Sequence, residues 1–199
     1  MPTTCQSLIV RLQSGSDRVS WDEFFDVYHP YLVRFVESRG LRGADVSDVV
    51  QNIFMRLMKA LGRARYQPSR GKFRSWLRRI AERGVIDWHR KRRRESTHAM
   101  PMDVADSQVP VDFDWEAEHR RTVLKHAIAV IRSESVPQTW ECFERHVLQQ
   151  IPAPSVAISL GVSTNSVYVN SFRVVTRIRE TCHRFAEDLR DDCASTVSR

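Results

Sequence analysis

The strongest constraint on the fold is a pair of segments in which apolar residues recur at intervals of three and four. In the segment 46–61 these residues are Val46, Val49, Val50, Ile53, Phe54, Leu57, Met58 and Leu61. Because an α-helix turns once every 3.6 residues, this spacing predicts a helix with one continuous buried stripe. The segment 73–88 repeats the pattern with Phe73, Trp76, Leu77, Ile80, Ala81, Gly84, Val85 and Trp88. The two segments therefore predict a packed pair of long helices.

The rest of the chain shows the same helical period. Helices are predicted over 6–13, 21–37, 120–132 and 137–149, the last with Trp140, Phe143 and Val147 facing inward. Pro30 lies inside the second of these and predicts a kink or a break, because proline has no N–H to donate. No segment alternates with a period of two, and the chain holds only 7 glycines. The predicted fold class is all-α.

The composition changes between the two halves of the chain. Residues 96–118 contain two prolines, six acids and no apolar period. This pattern is typical of a flexible linker. We therefore predict two small helical domains, over 1–95 and 119–190, which are joined by an acidic linker over 96–118 and followed by a tail over 191–199.

Charge and motif content limit the function classes. The formal net charge of +7 favours a polyanionic partner such as nucleic acid. The four cysteines form no CxxC pair, so neither a disulfide framework nor a metal site is predicted. There is no Walker loop, no HExxH and no nucleophile elbow, so we predict no enzyme activity, no cofactor and no small-molecule substrate.

The location is predicted from what the sequence lacks. The N-terminal segment does not have the pattern of a signal peptide, and no stretch approaches the roughly 20 apolar residues that span a bilayer. We therefore expect a cytoplasmic protein without a membrane partner.

The segment 154–179 has the pattern of a helix-turn-helix. Gly161 permits the left-handed backbone of a sharp turn, and Ser163 can cap the helix that follows. Apolar or small residues at Val167, Ser171, Val174 and Ile178 pack that helix inward. The residues that point outward near its start are Thr164, Asn165, Tyr168, Asn170, Phe172 and Arg173. Such a helix enters the major groove of DNA, although an ordinary helical hairpin has the same spacing.

A second basic surface is predicted on the helix over 73–88 and its flanks. Its cations are Arg70, Lys72, Arg74, Arg78, Arg79, Arg83 and the run from Arg90 to Arg94. Tyr66, in the preceding loop, is the best placed aromatic residue for stacking on a base. Cations interleaved with aromatic rings suit single-stranded DNA, while the alternative for the basic run is a solvated helix end.

These motifs resemble a known family. The segments DVVQNIF, which starts at Asp48, and FRSWLRRIA, which starts at Phe73, resemble region 2 of the extracytoplasmic-function (ECF) sigma factors of the sigma-70 family. The pairs Val156-Ala157, Ser166-Val167 and Phe172-Arg173 resemble the region 4 helix-turn-helix of the same family. The Val167-Tyr168-Val169 version of this motif and the short opening from Leu8 to Leu12 resemble the subgroup that is abundant in planctomycetes.

The resemblance implies a transcription initiation factor with three sets of contact residues. Core RNA polymerase would be bound by Asp48, Gln51, Asn52, Met55 and Arg56. The melted minus-ten element of promoter DNA would be bound by Tyr66, Arg70, Lys72, Arg74, Arg78, Arg79, Arg83 and Arg90. The minus-thirty-five duplex would be bound by Ser163, Thr164, Asn165, Tyr168, Asn170, Phe172, Arg173 and Arg177.

The chain departs from the family pattern at three of these positions. Asn52 stands where the family usually has Glu, and Tyr168 and Asn170 stand where it often has Lys or Arg. Sigma factors of this type are often held inactive by an anti-sigma protein, and nothing in the chain identifies one. Two other functions stay open, a stand-alone helix-turn-helix regulator and, with less support from the motifs, a nucleic-acid-processing enzyme.

Overall fold

The computed structural model describes residue 12 and residues 18–62, 73–96 and 113–185, and within them it contains helices and no strand. This result confirms the all-α fold class. A π-helical turn, Glu144–Leu148, follows the fifth helix. The seven α-helices are α1 (Arg18–Ser38), α2 (Ala44–Gly62), α3 (Phe73–Ser96), α4 (Trp115–Glu134), α5 (Pro137–Phe143), α6 (Ala153–Leu160) and α7 (Thr164–His183).

The chain divides into two compact units, and the division falls inside α4, between Thr122 and Val123. The linker predicted over 96–118 is therefore corrected at its end, because α4 already begins at Trp115. Asp114 explains this start, since its Oδ1 accepts from the amides of Glu116 and Ala117 at 3.1 and 2.9 Å. Such a side-chain cap satisfies amides that have no partner within the helix. The other domain boundaries stay predictions.

The core of the first unit lies between α1, α2 and α3. On α2 the predicted stripe is buried throughout except at Met58, which is 47% exposed. Of the kink or break predicted at Pro30, the break is wrong, because α1 runs through this residue. Pro30 lies on the exposed side of α1, while its neighbours Tyr31 and Leu32 are fully buried and keep that turn against the core.

Two helices of the first unit approach closely at Gly84. A β-carbon added to Gly84 would lie 2.8 Å from Cγ1 of Ile53, which is shorter than an ordinary van der Waals contact. Ile53 is fully buried in the facing helix α2. The absence of a side chain at Gly84 thus allows α2 and α3 to pack at this distance.

The first turns of α4 also belong to the first unit. The Trp115 side chain is 5% exposed, and its ring centroid lies 4.5 Å from that of Tyr31 and 4.9 Å from that of Phe35. The Tyr31 hydroxyl donates to the backbone oxygen of Trp115 at 3.0 Å. Large aromatic contacts of this kind account for much of a small core.

The second unit has two buried clusters. One joins α4, α5 and α7 through Ala127, Ile131, Trp140, Phe143, Val174 and Ile178. The other consists of Cys142, Ala153, Val156, Ala157 and Val167. Val147, which the period of the sequence places inward, is instead 40% exposed, because the chain is π-helical from Glu144 and the period shifts.

A tight turn joins α6 to α7. Gly161 has φ +65°, the left-handed conformation predicted for it. The Ser163 hydroxyl accepts from the amide of Ser166 at 3.1 Å, so Ser163 is the N-cap of α7, as predicted. Val167, Ser171, Val174 and Ile178 are all buried, which confirms the predicted inner face of this helix.

No helix in the part of the chain that the structure describes is both long enough and apolar enough to cross a membrane.

Candidate functional site

A groove of about 340 Å³ lies between α2 and α3 in the first unit. Gly84 and Val49 contribute to its lining, and the rest is polar or aromatic. The α2 side provides Asp45, Asp48, Asn52 and Arg56, and the α3 side provides Asp87, Trp88, Lys91 and Arg92.

Two ion pairs cross the groove. Nη1 of Arg56 lies 2.7 Å from Oδ2 of Asp87, and Nη1 of Arg92 lies 3.1 Å from Oδ2 of Asp45. The Arg92 guanidinium also lies 5.1 Å from the centroid of the Trp88 ring. All four charged side chains are more than a third exposed, and such pairs contribute on the order of 0–1 kcal/mol each. A partner can therefore displace them at small cost.

The structure brings together three of the five residues predicted to bind polymerase. Asp48, Asn52 and Arg56 line the groove, and Nε of Arg56 donates to Oδ1 of Asn52 at 2.8 Å. Gln51 and Met55 are exposed on the adjoining surface of the same helix, outside the groove lining. All five thus belong to one exposed surface of α2, which the exposed Met58 borders.

The cations on α3 do not share one surface. Arg79, Arg83 and Arg90 are exposed, and their spacing of four and seven places them on one face of the helix. Ile86, which is 48% exposed, lies in the same row. Arg78 is exposed too, but Nε of Arg78 donates to Glu82 at 2.8 Å. The residues Tyr66, Arg70 and Lys72 lie outside the described residues.

Arg74 is the one predicted DNA contact on α3 that the structure places inside the protein. Its side chain is 7% exposed, and Nη2 lies 3.1 Å from Oε2 of Glu116. Its Nη1 lies 3.1 Å from Nδ1 of His119, whose residue exposure is 2%. A phosphate cannot reach a guanidinium that is covered in this way, so the minus-ten role predicted for Arg74 is corrected to a structural one.

His119 connects this buried cation to α1. Burial, together with the neighbouring cations Arg74 and Arg120, lowers the pKa of His119 to about 3. The ring is therefore neutral at physiological pH. A guanidinium can only donate, so Nδ1 accepts from Arg74, and Nε2 carries the proton and donates to the Tyr28 hydroxyl at 3.3 Å.

The outward face of α7 carries most of the predicted duplex-binding residues. Asn165, Tyr168, Phe172 and Arg173 are exposed, and Phe172 is 70% exposed. Thr164 is half-buried. The Tyr168 ring makes an edge contact with His146, the two centroids being 5.3 Å apart.

Two residues of the predicted duplex-binding set are engaged within the second unit. Asn170 is half-buried, and its Nδ2 lies 3.8 Å from Sγ of the buried Cys142. Arg177 forms an ion pair with Glu134 of α4. Asn170 is thus turned away from the outward face, whereas the pair of Arg177 is exposed and can exchange.

Within the described residues, no three His, Cys, Asp or Glu side chains come together as a metal site would require. Cys182 is half-buried, and burial raises the pKa of its thiol.

Sequence reasoning missed several residues of these surfaces. Asp45 lies three residues before Asp48 and seven before Asn52, so its place on the groove side of α2 could be read from helical spacing. Asp87 and Arg92 enter the groove only through the crossing of α2 and α3, which no local pattern reveals. His119 lies at the edge of the predicted linker, and nothing local indicates its burial.

Comparison with known proteins identifies part of the first unit. Residues 24–95 match the family model for sigma-70 region 2, from within α1 to the last turn of α3. A search of curated proteins finds no match to the chain. The matched segment contains both sides of the groove and the exposed arginine row of α3. Residues 24–95 of this chain are therefore similar to sigma-70 region 2.

Proposed function

We propose that the protein is an ECF-type sigma factor that binds core RNA polymerase, recognises promoter DNA and helps to melt the minus-ten element. The observation that carries this proposal is the region 2 match over residues 24–95, since that domain implies binding to core polymerase and promoter DNA. Sigma factors are not enzymes, and they act in the cytoplasm together with the polymerase.

The polymerase contact is assigned to α2. Asp48, Gln51 and Asn52 are exposed along one side of this helix, and Met55 adds an exposed apolar side chain, a type that adapts well to a partner surface. The ion pair between Arg56 and Asp87 is exposed and exchanges readily with a charged partner.

Promoter DNA is assigned to two separate surfaces. The exposed row Arg79, Arg83 and Arg90 suits the phosphates of the opened minus-ten strand, where each neutralised phosphate releases counterions. In the second unit, the short turn at Gly161 between α6 and α7 supports a helix-turn-helix, which suits the minus-thirty-five duplex. An anti-sigma protein would act by covering one of these surfaces.

The central experiment is transcription in vitro with bacterial core polymerase. The full chain is expected to give promoter-dependent transcripts, and the chain or the core enzyme alone is expected to give none. Specific binding to duplex DNA without core polymerase, with no transcript in its presence, would favour a stand-alone regulator instead.

The polymerase surface is tested separately. Asp48→Ala with Gln51→Ala is expected to weaken binding to core polymerase in a titration, while Asp26→Ala, an exposed carboxylate on α1, is expected to leave it unchanged. Equal affinity of the double variant and the control would refute this assignment of α2.

The minus-ten surface has its own pair of variants. Arg79→Ala with Arg83→Ala is expected to reduce transcript yield and its salt dependence but not polymerase affinity. Lys125→Ala, an exposed cation of the second unit, serves as the control.

A further inference from the structure

The outward face of α7 carries apolar side chains at its centre. Asn165, Val169 and Phe172 follow one another at intervals of four and three, so they form one row along the helix. Val169 is 38% exposed and Phe172 is 70% exposed. Two neighbouring apolar groups left in water on an otherwise polar helix indicate a contact surface.

The charge of this helix indicates what kind of surface that is. From Thr164 to Arg179 the sequence of α7 contains no Asp or Glu, and it contains Arg173, Arg177 and Arg179. A surface that lacks acids and is flanked by cations complements DNA phosphates. The turn at Gly161 and the cap at Ser163 also present the first turns of α7 in the way a recognition helix is presented.

The base edges in the major groove offer one apolar group, which is the C5-methyl of thymine. A phenyl ring and a valine side chain can contact that methyl, whereas neither can hydrogen-bond to guanine. Among the first ten residues of α7, Arg173 provides the single guanidinium, and it lies four residues after Val169, at the end of the row that is farther from the start of the helix. Asn165, in the row, has the amide that pairs with adenine.

We propose that Val169 and Phe172 read thymine methyl groups, so that the upstream promoter element of this protein is rich in A·T pairs with neighbouring thymines. The proposal rests on the proposed function, since it assigns base preference to the same duplex-binding surface. Phe172 makes the larger contact, and Asn165 adds an adenine contact in the same row.

The test uses the full chain bound to bacterial core polymerase. Duplexes randomised over the whole promoter length are selected by retention on this complex, and selected duplexes are checked for promoter-dependent transcription. Each upstream thymine of one selected duplex is then replaced by uracil, which removes only the methyl group. One buried methyl is worth about a four-fold change in affinity.

The proposal expects an A·T-rich upstream element and a loss of about four-fold for each uracil that faces Val169 or Phe172. In Phe172→Ala the uracil that faces this ring is expected to have no further effect. Val136→Ala, at a 66% exposed apolar residue just before α5, is the matched control and is expected to keep the full uracil effect.

Three results would overturn the proposal. Transcription that starts normally but does not respond to uracil would overturn it and leave the sigma-factor function intact. A uracil effect that persists unchanged in Phe172→Ala would also overturn the proposal. So would a Phe172→Ala variant that loses affinity for core polymerase rather than for DNA, because this face of α7 would then be a protein contact. Absence of both retained duplex and transcript would overturn the proposed function together with the inference.

Discussion

Replacing Gly84 with alanine tests the packing that forms the groove. The added β-carbon would lie 2.8 Å from Cγ1 and 3.4 Å from Cδ1 of Ile53, and ordinary contacts begin near the second value. Ile53 is fully buried, and a β-branched side chain in a helix has one strongly preferred χ1 rotamer, so it cannot turn away. The helices must therefore separate by several tenths of an ångström.

The expected loss follows from two opposing effects. Overpacking a core costs roughly 1–3 kcal/mol, whereas glycine to alanine in a helix interior gains about 1 kcal/mol. The free energy of unfolding of the first unit should thus fall by about 1 kcal/mol, or roughly 4–8 °C in Tm for a domain of this size. Tryptophan fluorescence in a denaturant titration reports this unit well, because it holds four of the five tryptophans, Trp21, Trp76, Trp88 and Trp115.

Two companion variants separate steric strain from helix propensity. Gly62→Ala, at the end of α2, meets nothing within 4 Å and should cause no loss of stability. In an Ile53→Ala background, where Cγ1 and Cδ1 are gone, Gly84→Ala should become stabilising by up to about 1 kcal/mol. The reasoning is refuted if Gly84→Ala stabilises the native background as much as it stabilises the Ile53→Ala background.

Three further predictions concern the pH response, the cap and the turn. The pKa of His119 is about 3 in the folded protein and near 6.5 in the unfolded chain. The neutral ring therefore contributes fully to the free energy of unfolding above pH 6.5, and this contribution is lost as the pH falls towards 3. At pH 5 the loss is about 2 kcal/mol. His119→Gln, which can still accept from Arg74 and donate to Tyr28, should flatten this part of the stability profile, and an unchanged profile would contradict the assignment. Ser163→Ala should cost the second unit about 1 kcal/mol by removing the N-cap of α7, as measured by thermal unfolding with circular dichroism. Gly161→Ala, as a separate variant, should lower the free energy of unfolding of the second unit by roughly 1–2 kcal/mol, because φ is +65° there. An unchanged free energy of unfolding would show that the turn can relax.

The sequence predicts the helices and their inner faces well where a single period extends over several turns. Val46 to Leu61 on α2, and Val167 to Ile178 on α7, are such cases, and the structure differs within them only at Met58. The period is lost where the helix type changes, so Val147 was placed on the wrong side of the π-helical turn.

The predicted site is less complete because it depends on distant residues. Arg74 belongs to a basic cluster by sequence, and a charge run predicts exposure. Its burial depends on Glu116, which lies in the predicted linker, and on His119, which directly follows it; both are more than forty positions away. Composition averages over a segment, whereas one aromatic residue at Trp115 and one cap at Asp114 are sufficient to dock and start a helix.

The groove between α2 and α3 combines a rigid spacing with exchangeable charges. The spacing is determined at Gly84 and Ile53, where buried atoms leave no freedom. Across the groove, the pairs Arg56–Asp87 and Arg92–Asp45 are exposed and each contribute about 1 kcal/mol or less. If core polymerase binds here as proposed, its surface can supply charges that replace these pairs without moving the helices, since the buried contacts that hold α2 and α3 are unaffected. Variants that neutralise Asp87 should therefore change the salt dependence of polymerase binding, whereas Gly84→Ala should weaken binding at every salt concentration by altering the distance between the two helices.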